Sequence, residues 1–455
     1  MQRFVDLWQK LRRSDNFYSL AGNLVYAGFS MLTFLLMVRL LDKELYGRWV
    51  IYVTATALLD MLRLGLTGTA AIRMISTNEG LERNRSIAAS YHLSVLTTTG
   101  LSVLFLPIYF LLGPEWQASY YGPVLLFYPL LAFANLPFHQ ATMICQGAIN
   151  FQRLFVLRGL NGFLIFLGIS GYILVVPEPS LIHIIGIHAG MNALSSLLAF
   201  AKKWDGHLVW RHWDAGVLRK ILQFGWYSTA SYVGSNLLRS SDTVIMSLSA
   251  AMGARAIAIY AIPLKLVELI EIPLRSFTAT AFPKLSRAFQ ESRESFNRML
   301  SEQLVGTAVL LVPILIVLLL FADPLLTLIG GAEYADSRDL QRTLVYIITV
   351  YILLLPFDRY SGVALFALDK PQLNFWKIWL MLGANIALDC VAVFVFASLP
   401  MVAWATILFT GLGILVGWWY IFRETAFPPG LLWESATTMS QQFKLLVQRK
   451  TAPRG

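Results

Sequence analysis

Residues 257–284 read IAIYAIPLKLVELIEIPLRSFTATAFPK. The stretch is apolar enough to cross a bilayer, yet Lys265, Glu268, Glu271 and Arg275 lie in its middle. At about 100° per residue, these four side chains fall within roughly 120° of one helix face. Facing lipid, each charge would cost about 2.5–3.5 kcal/mol at the helix centre, so the face must look into protein or water. The stretch therefore predicts an all-α membrane protein that handles something polar inside the bilayer.

The remainder of the chain supports that reading. Its 455 residues are 57% hydrophobic and only 14% charged, with a mean hydropathy of +0.62. Soluble domains carry about 25% charged residues, so a soluble enzyme is excluded. The net charge of +10 comes from basic residues in short loops between apolar segments, which is a topology signal and not a nucleic-acid surface. Cys145 and Cys390 sit in separate apolar segments and form neither a disulfide framework nor a metal-ligand spacing. No metal site or cofactor is expected.

Twelve apolar segments of about 20 residues or more are predicted to span the membrane. They lie at roughly 17–41, 46–66, 87–112, 120–146, 151–176 and 180–201, then 221–247, 257–281, 302–322, 343–368, 374–398 and 401–422. The first is too long for a cleaved signal peptide and is expected to be retained. Before it, Phe4, Leu7, Trp8 and Leu11 predict an interfacial amphipathic helix among basic residues; a second is predicted around Leu431–Leu446. With residues in the opening turns of a span counted with the adjoining loop, 25 of the 36 basic residues fall on the side of the N-terminus, five (Lys43, Arg48, Arg255, Arg338, Arg342) on the other, and six within spans. That bias places both termini in the cytoplasm. The loops leave no room for a soluble catalytic domain.

The two halves are related in pattern. Gly47 to Arg73 can be laid without a gap on Ala258 to Lys284, pairing Asp60 with Glu271 and Arg73 with Lys284. Each acid is followed by an arginine on the same face, Arg63 and Arg275. Six spans per half predict two bundles that enter from the same side, with a substrate site between them. The expected domains are 1–213, 214–427 and a tail at 428–455.

At 38–49 the chain reads VRLLDKELYGRW, which resembles the R-x-L-…-E-(F/Y)-G-x-(Y/W) signature of polysaccharide flippases. These form the polysaccharide transporter branch of the superfamily that also holds multidrug and toxic-compound extrusion proteins. The FG and SSDTVIMSLS of the seventh span, and AFPKLSR at 281–287, are similar to patterns of the same family. The resemblance covers the whole chain. It implies a V-shaped, two-lobed exporter that alternates its access. Its cargo would be oligosaccharide repeat units on undecaprenyl diphosphate, carried from the inner to the outer leaflet of the bacterial cytoplasmic membrane. Expected partners are this lipid-linked oligosaccharide, membrane lipids and other polysaccharide assembly proteins, with no nucleic acid.

Beyond the opening turns of the predicted spans lie six cations (Arg39, Arg63, Arg239, Lys265, Arg275, Arg359) and six anions (Asp60, Asp242, Glu268, Glu271, Asp358, Asp389). Asp60–Arg63, Arg239–Asp242, Lys265–Glu268 and Glu271–Arg275 have the i,i+3 or i,i+4 spacing of same-helix pairs that lock a bundle. The alternative reading is a wet cavity, where arginines offer planar forks to diphosphate oxygens and carboxylates orient them or carry a coupling H+ or Na+. The cations are the cargo-binding candidates, led by Arg275 and Arg63. The acids are the coupling or orienting candidates, with Asp389 lacking a local partner. Pro356 is expected to break the helix before Asp358–Arg359, and Pro263 and Pro273 to kink the charged stretch. No histidine pair has metal-ligand spacing, and structural or interfacial roles are expected for His92, His139, His183 and His188. Gly186–Gly190 and Gly413–Gly417 are candidate sites of close helix packing.

Two other functions compete. A multidrug or cation antiporter is expected to carry a carboxylate in the first span, and 17–41 has none. A membrane polymerase or ligase is expected to carry a large outer loop with catalytic arginine or histidine, and the chain has no such loop. A transporter, not an enzyme, is the expectation.

Overall fold

The computed structural model describes residues 15–224, 226–438 and 441. Twelve helices of 20 residues or more run through them: α1 Asp15–Leu40, α2 Lys43–Thr77, α3 Gly80–Leu111, α4 Gly122–Gly147, α5 Phe151–Val175 and α6 Leu181–Ala201, then α7 Trp226–Ser247, α8 Gly253–Glu291, α9 Arg293–Leu320, α10 Arg338–Ala367, α11 Pro371–Cys390 and α12 Leu399–Thr425. Each coincides with one expected span. Nine of the described helices are long and apolar enough to cross a bilayer, or ten if the two arms of α2, bent by 43°, count as one. The polar and charged residues of α7 and α8 set those two apart. The interfacial helix expected at Phe4–Leu11 lies outside the described residues. The C-terminal one is described over 430–438, where Ser301 Oγ donates to the Leu431 carbonyl at 2.9 Å.

Local chemistry sets the helix ends. Asp42, Asn150 and Ser292 cap α2, α5 and α9 by accepting from the backbone N–H of Leu45, Arg153 and Ser295. Proline occupies the first turn of α4, α11 and α12, where its missing N–H costs nothing. α10 runs unbroken through Pro356, so the expected break before Asp358 does not occur. A proline lacks only one donor, and neighbouring helices hold the segment straight enough to continue. α8 is likewise helical from Gly253 to Glu291 through its three prolines, Pro263, Pro273 and Pro283.

The chain divides into two compact units, one of 1–236 with 253–258 and one of 237–252 with 259–455. In unit 1, α3 packs on α4, α4 on α6 and α5 on α6; in unit 2, α9 packs on α10, α10 on α12 and α11 on α12. The same neighbour pairs thus recur after a shift of six helices, as the related halves predict. Phe138, Ala141, Cys145, Leu154 and Leu157 fill one part of unit 1, and Phe296, Leu300, Leu304, Tyr360, Leu365 and Trp418 the core of unit 2. Large apolar residues such as Leu96, Phe110, Leu174 and Leu415 stay exposed, as lipid-facing surface requires.

The VRLLDKELYGRW stretch has a definite job in unit 1. A Cβ on Gly47 would lie 1.8 Å from the Ala254 carbonyl oxygen, so only glycine lets α2 meet the start of α8. Gly253, at φ +58°, adopts a backbone that other residues resist, and its added Cβ would meet Tyr120 Oη at 2.9 Å. The Tyr120 hydroxyl accepts from the Ala254 N–H at 3.4 Å and donates to Glu44 at 3.5 Å. Glu44 in turn holds Arg48 at 3.0 Å, with the Arg48 guanidinium over the Tyr120 ring. The first six residues of α8 therefore belong to unit 1 and the rest to unit 2.

Of the two G-x-x-x-G matches, Gly413–Gly417 packs tightly: added Cβ atoms would meet Met381 Sδ at 2.3 Å and Ser361 Oγ at 2.5 Å. Gly186–Gly190 has nothing within 4 Å and marks no helix contact.

Candidate functional site: charged clusters within each unit

In unit 2 the stripe on α8 is joined by cations from other helices. Glu271 is almost fully buried and receives Arg275 Nη2 at 2.7 Å and, from α10, Arg359 Nη2 at 2.9 Å. Each carboxylate oxygen thus takes one arginine. Their outer surfaces remain open, with 55% of the Arg275 side chain and 41% of Arg359 exposed. One turn earlier, Glu268 takes Lys265 at 2.8 Å and Arg239 of α7 at 3.3 Å. The i,i+3 pair expected between Arg239 and Asp242 is therefore replaced by a cross-helix pair, because Arg239 is exposed whereas Asp242 turns into the core. Four cations face two carboxylates. The stripe, neutral along α8 alone, carries a net charge of +2 once α7 and α10 are counted.

Asp242 lies in a buried polar knot. Its carboxylate accepts from Asn385 Nδ2 and the Tyr260 hydroxyl at 3.2 Å each, and from the Thr406 hydroxyl at 3.5 Å. Asp389, one turn beyond Asn385, is fully buried beside Asp242, and neither of its carboxylate oxygens has a protein donor. The partner that Asp389 lacks on its own helix is thus a second carboxyl, and two acceptors satisfy each other only through a shared proton or cation.

Asp358 and Arg359, adjacent in sequence, serve different partners. Asp358 pairs at 2.6 Å with Lys377 of α11, whose Nζ also donates to Ser361 Oγ at 2.8 Å and to the Asp358 carbonyl at 3.0 Å. From the sequence Lys377 is counted with the loops; it is buried inside α11. A lysine in the first third of an apolar segment gives no local sign of a partner 19 residues away on another helix.

Unit 1 carries a smaller cluster. The Arg63 side chain has 0% exposure and donates to Asp60 Oδ1 at 2.8 Å, Thr98 Oγ1 at 3.0 Å and the Ala132 carbonyl at 2.7 Å. It is enclosed, unlike Arg275. Asp60 Oδ1 also accepts from the Tyr128 hydroxyl at 3.2 Å, and Asp60 Oδ2 faces His139 Nε2 at 3.8 Å. The fully buried Tyr52 hydroxyl nearby has no protein partner. Arg39 lies exposed in the last turn of α1. Among the described residues, no group of three His, Cys, Asp or Glu side chains is placed to hold a metal ion.

These features define a helical exporter fold with charged clusters inside its bundles, and the comparisons agree. A family model described as "Polysaccharide biosynthesis protein" matches residues 13–289, more than half of the chain, and the chain belongs to that family. The fold is similar to an inward-facing multidrug resistance MATE transporter of the MOP superfamily (TM-score 0.69, 15% identity, covering 87% of this chain and 94% of that one). It is equally similar to the lipid II flippase MurJ in an inward closed conformation (TM-score 0.69, 15% identity, covering 96% and 93%). A MOP superfamily transporter from Pyrococcus furiosus, whose reversed pocket polarity is reported to suggest a different function, matches at TM-score 0.59 and 13% identity over 93% of each chain. No curated protein sequence matches the chain. The chain is thus a multi-pass membrane protein of the polysaccharide biosynthesis family, with the fold shared by these transporters.

Proposed function

We propose that the protein is a flippase that moves undecaprenyl-diphosphate-linked oligosaccharide repeat units from the inner to the outer leaflet of the bacterial inner membrane by alternating access. The observation that carries this reading is the unit 2 cluster of Arg239, Lys265, Arg275 and Arg359 around Glu268 and Glu271. A net positive patch with half-exposed guanidinium forks suits a diphosphate and does not suit a cationic drug. Glu271 holds two of those forks at a fixed spacing, so its role is orientation.

Asp242 and Asp389 are the proposed coupling site. Their paired carboxyls, with Asn385, Tyr260 and Thr406 as neutral oxygen or amide neighbours, would take a proton or Na+, and the charge so gained or lost would bias the two access states. Arg63, being enclosed, positions Asp60 and the α2–α4 contact instead of touching the cargo. Both termini are assigned to the cytoplasm by the basic-residue bias.

The test is analysis of carrier lipids in a deletion strain, with and without complementation. The expected result is repeat units trapped on their carrier at the inner leaflet, cleared by the wild-type gene and not by Arg275→Ala at normal membrane levels. Normal surface polysaccharide without a trapped intermediate would sink the reading.

A further inference from the structure

The connection between α6 and α7 carries a surface that transport of a cargo does not call for. It holds a 3-10 turn, His207–His212, and a short helix, Ala215–Phe224, and lies wholly in unit 1. Its inward face is fixed. Val217 and Ile221 are buried against Ala70 of α2 and Ala89 and Leu93 of α3. Asp205 is fully buried, 2.6 Å from His207 Nδ1. The Trp210 ring stacks on His92 of α3 with centroids 3.6 Å apart, and Trp213 stacks on the same imidazole at 5.5 Å. The outward face carries two chemistries. Leu208, Trp210, Trp213 and Leu222 keep 38–62% of their surface exposed. Beside them Lys202, Lys203, Arg211, Arg219 and Lys220 are exposed. The acids of the segment are Asp205, which is buried, and Asp214, which accepts from the Val217 N–H at 3.1 Å and caps the short helix.

We propose that 202–222 is a binding surface for anionic phospholipid at the membrane–water boundary, tying the adjoining ends of α2 and α3 to the bilayer. The inference does not depend on the cargo. Lys202 directly follows the last residue of α6, so the segment begins where a span leaves the hydrocarbon. At that depth apolar side chains enter the acyl boundary, Trp sits at the headgroup level, and Lys and Arg reach the phosphates. On Ala215–Phe224 these layers follow from the spacing. At about 100° per residue Leu222 lies between Ile221 and Arg219, so one side of the helix passes from protein to acyl chain to headgroup. Charge complementarity selects a lipid of net negative charge, since the cation of a zwitterionic headgroup is repelled by the five basic side chains. Free phosphate is a poorer occupant because it leaves the four apolar side chains in water. An acidic protein is poorer because it sets charge against Leu208 and Leu222.

Full-length protein in dodecyl maltoside is titrated with pyrene-labelled phosphatidylglycerol or phosphatidylcholine, and energy transfer from tryptophan to pyrene is read. The expected result is at least about tenfold tighter binding of phosphatidylglycerol, since each cation near an anionic headgroup is worth about fivefold. Arg211→Gln with Arg219→Gln and Lys220→Gln brings the two lipids within about twofold of each other and leaves phosphatidylcholine binding unchanged. Arg211→Lys with Arg219→Lys keeps the preference. Loss of the same charge elsewhere, by Lys284→Gln with Arg287→Gln and Arg293→Gln at exposed positions, keeps it too. Leu208→Gln with Leu222→Gln weakens both lipids. Equal binding of the two lipids by wild type, a preference that survives the first triple variant, or its equal loss in the control variant overturns the proposal. A fall in phosphatidylcholine binding in the first triple variant overturns it as well, since the cations then serve the fold. Displacement of the lipid by glycerol phosphate makes the surface a free-anion site, and displacement by poly-glutamate makes it a surface for acidic protein; either result overturns the lipid assignment.

Discussion

Replacing Lys377 with Met tests the interior of unit 2. The Lys377 ammonium and the Asp358 carboxylate are both largely buried and 2.6 Å apart, and Met fills similar volume without charge. The substitution leaves the carboxylate unpaired in a low-dielectric core and strips Ser361 and the Asp358 carbonyl of a donor. Removing one partner of such a pair costs about 3–5 kcal/mol, because the stranded charge keeps its desolvation penalty. In a unit of about 200 residues this corresponds to a fall of roughly 6–20 °C in the melting temperature. The assay is intrinsic tryptophan fluorescence of the detergent-purified chain during heating, with Trp376 and Trp379 beside the site in sequence as reporters. The double variant Lys377→Met with Asp358→Leu removes both charges and should recover at least half of the loss. A single-variant shift below about 2 °C, or a double variant no better than the single one, would refute the assignment of a buried pair with high coupling.

Four further outcomes are expected. Arg275→Ala and Arg359→Ala should each weaken farnesyl diphosphate binding by about 10- to 100-fold, as loss of one charge-assisted contact does, and Lys at either position should recover only part of it; unchanged affinity in both would move the headgroup elsewhere. Asp389→Asn should abolish the dependence of transport on an imposed Na+ or pH gradient, and a variant that still follows either gradient removes Asp389 from coupling. Gly417→Ala places a Cβ 2.5 Å from Ser361 Oγ and should cost about 1–3 kcal/mol by overpacking, read as an earlier melt. Gly47→Ala should raise hydrogen exchange in residues 253–258, and unaltered protection there contradicts the close approach.

Much of this fold is legible in sequence because lipid imposes a strong pattern: spans are long, loops are short, and basic residues collect on one side. Same-helix pairs are legible too. Asp60–Arg63, Lys265–Glu268 and Glu271–Arg275 all form at the spacing that a helix dictates. What sequence cannot supply is the rotation and depth of one helix against another. Arg239 has Asp242 three residues away and yet reaches across to Glu268, while Asp242 turns to Asn385 and Asp389. Arg359 joins Glu271 and Arg239 joins Glu268 from different helices, which together change the net charge of the stripe from zero to +2. Arg63 and Arg275 each follow a paired acid on the same helix face, but only contacts with Thr98 and Ala132 reveal that Arg63 is walled in. His139 has no partner within its own helix, so its closeness to Asp60 has no signature along the chain. Asn385 and Asp389 lie at i,i+4, so they share a helix face that the sequence alone does not join to Asp242.

The clasp at the start of α8 has a mechanical consequence. Glu271 lies 13 residues beyond Ala258, or about 20 Å along a helix that rises 1.5 Å per residue. A swing of only about 10° at Ala258 would sweep the Glu271 carboxylate sideways by roughly 3 Å, the length of one of its own bonds to arginine. Under the proposed function α8 would be a lever with its short arm gripped by Gly47 and Tyr120 and its long arm carrying Lys265 and Arg275. A methyl group added at Gly47, outside the unit 2 cluster, would shift that grip and so retune the far end; under the proposed function this gives a transport defect with none of the cargo-binding candidates touched.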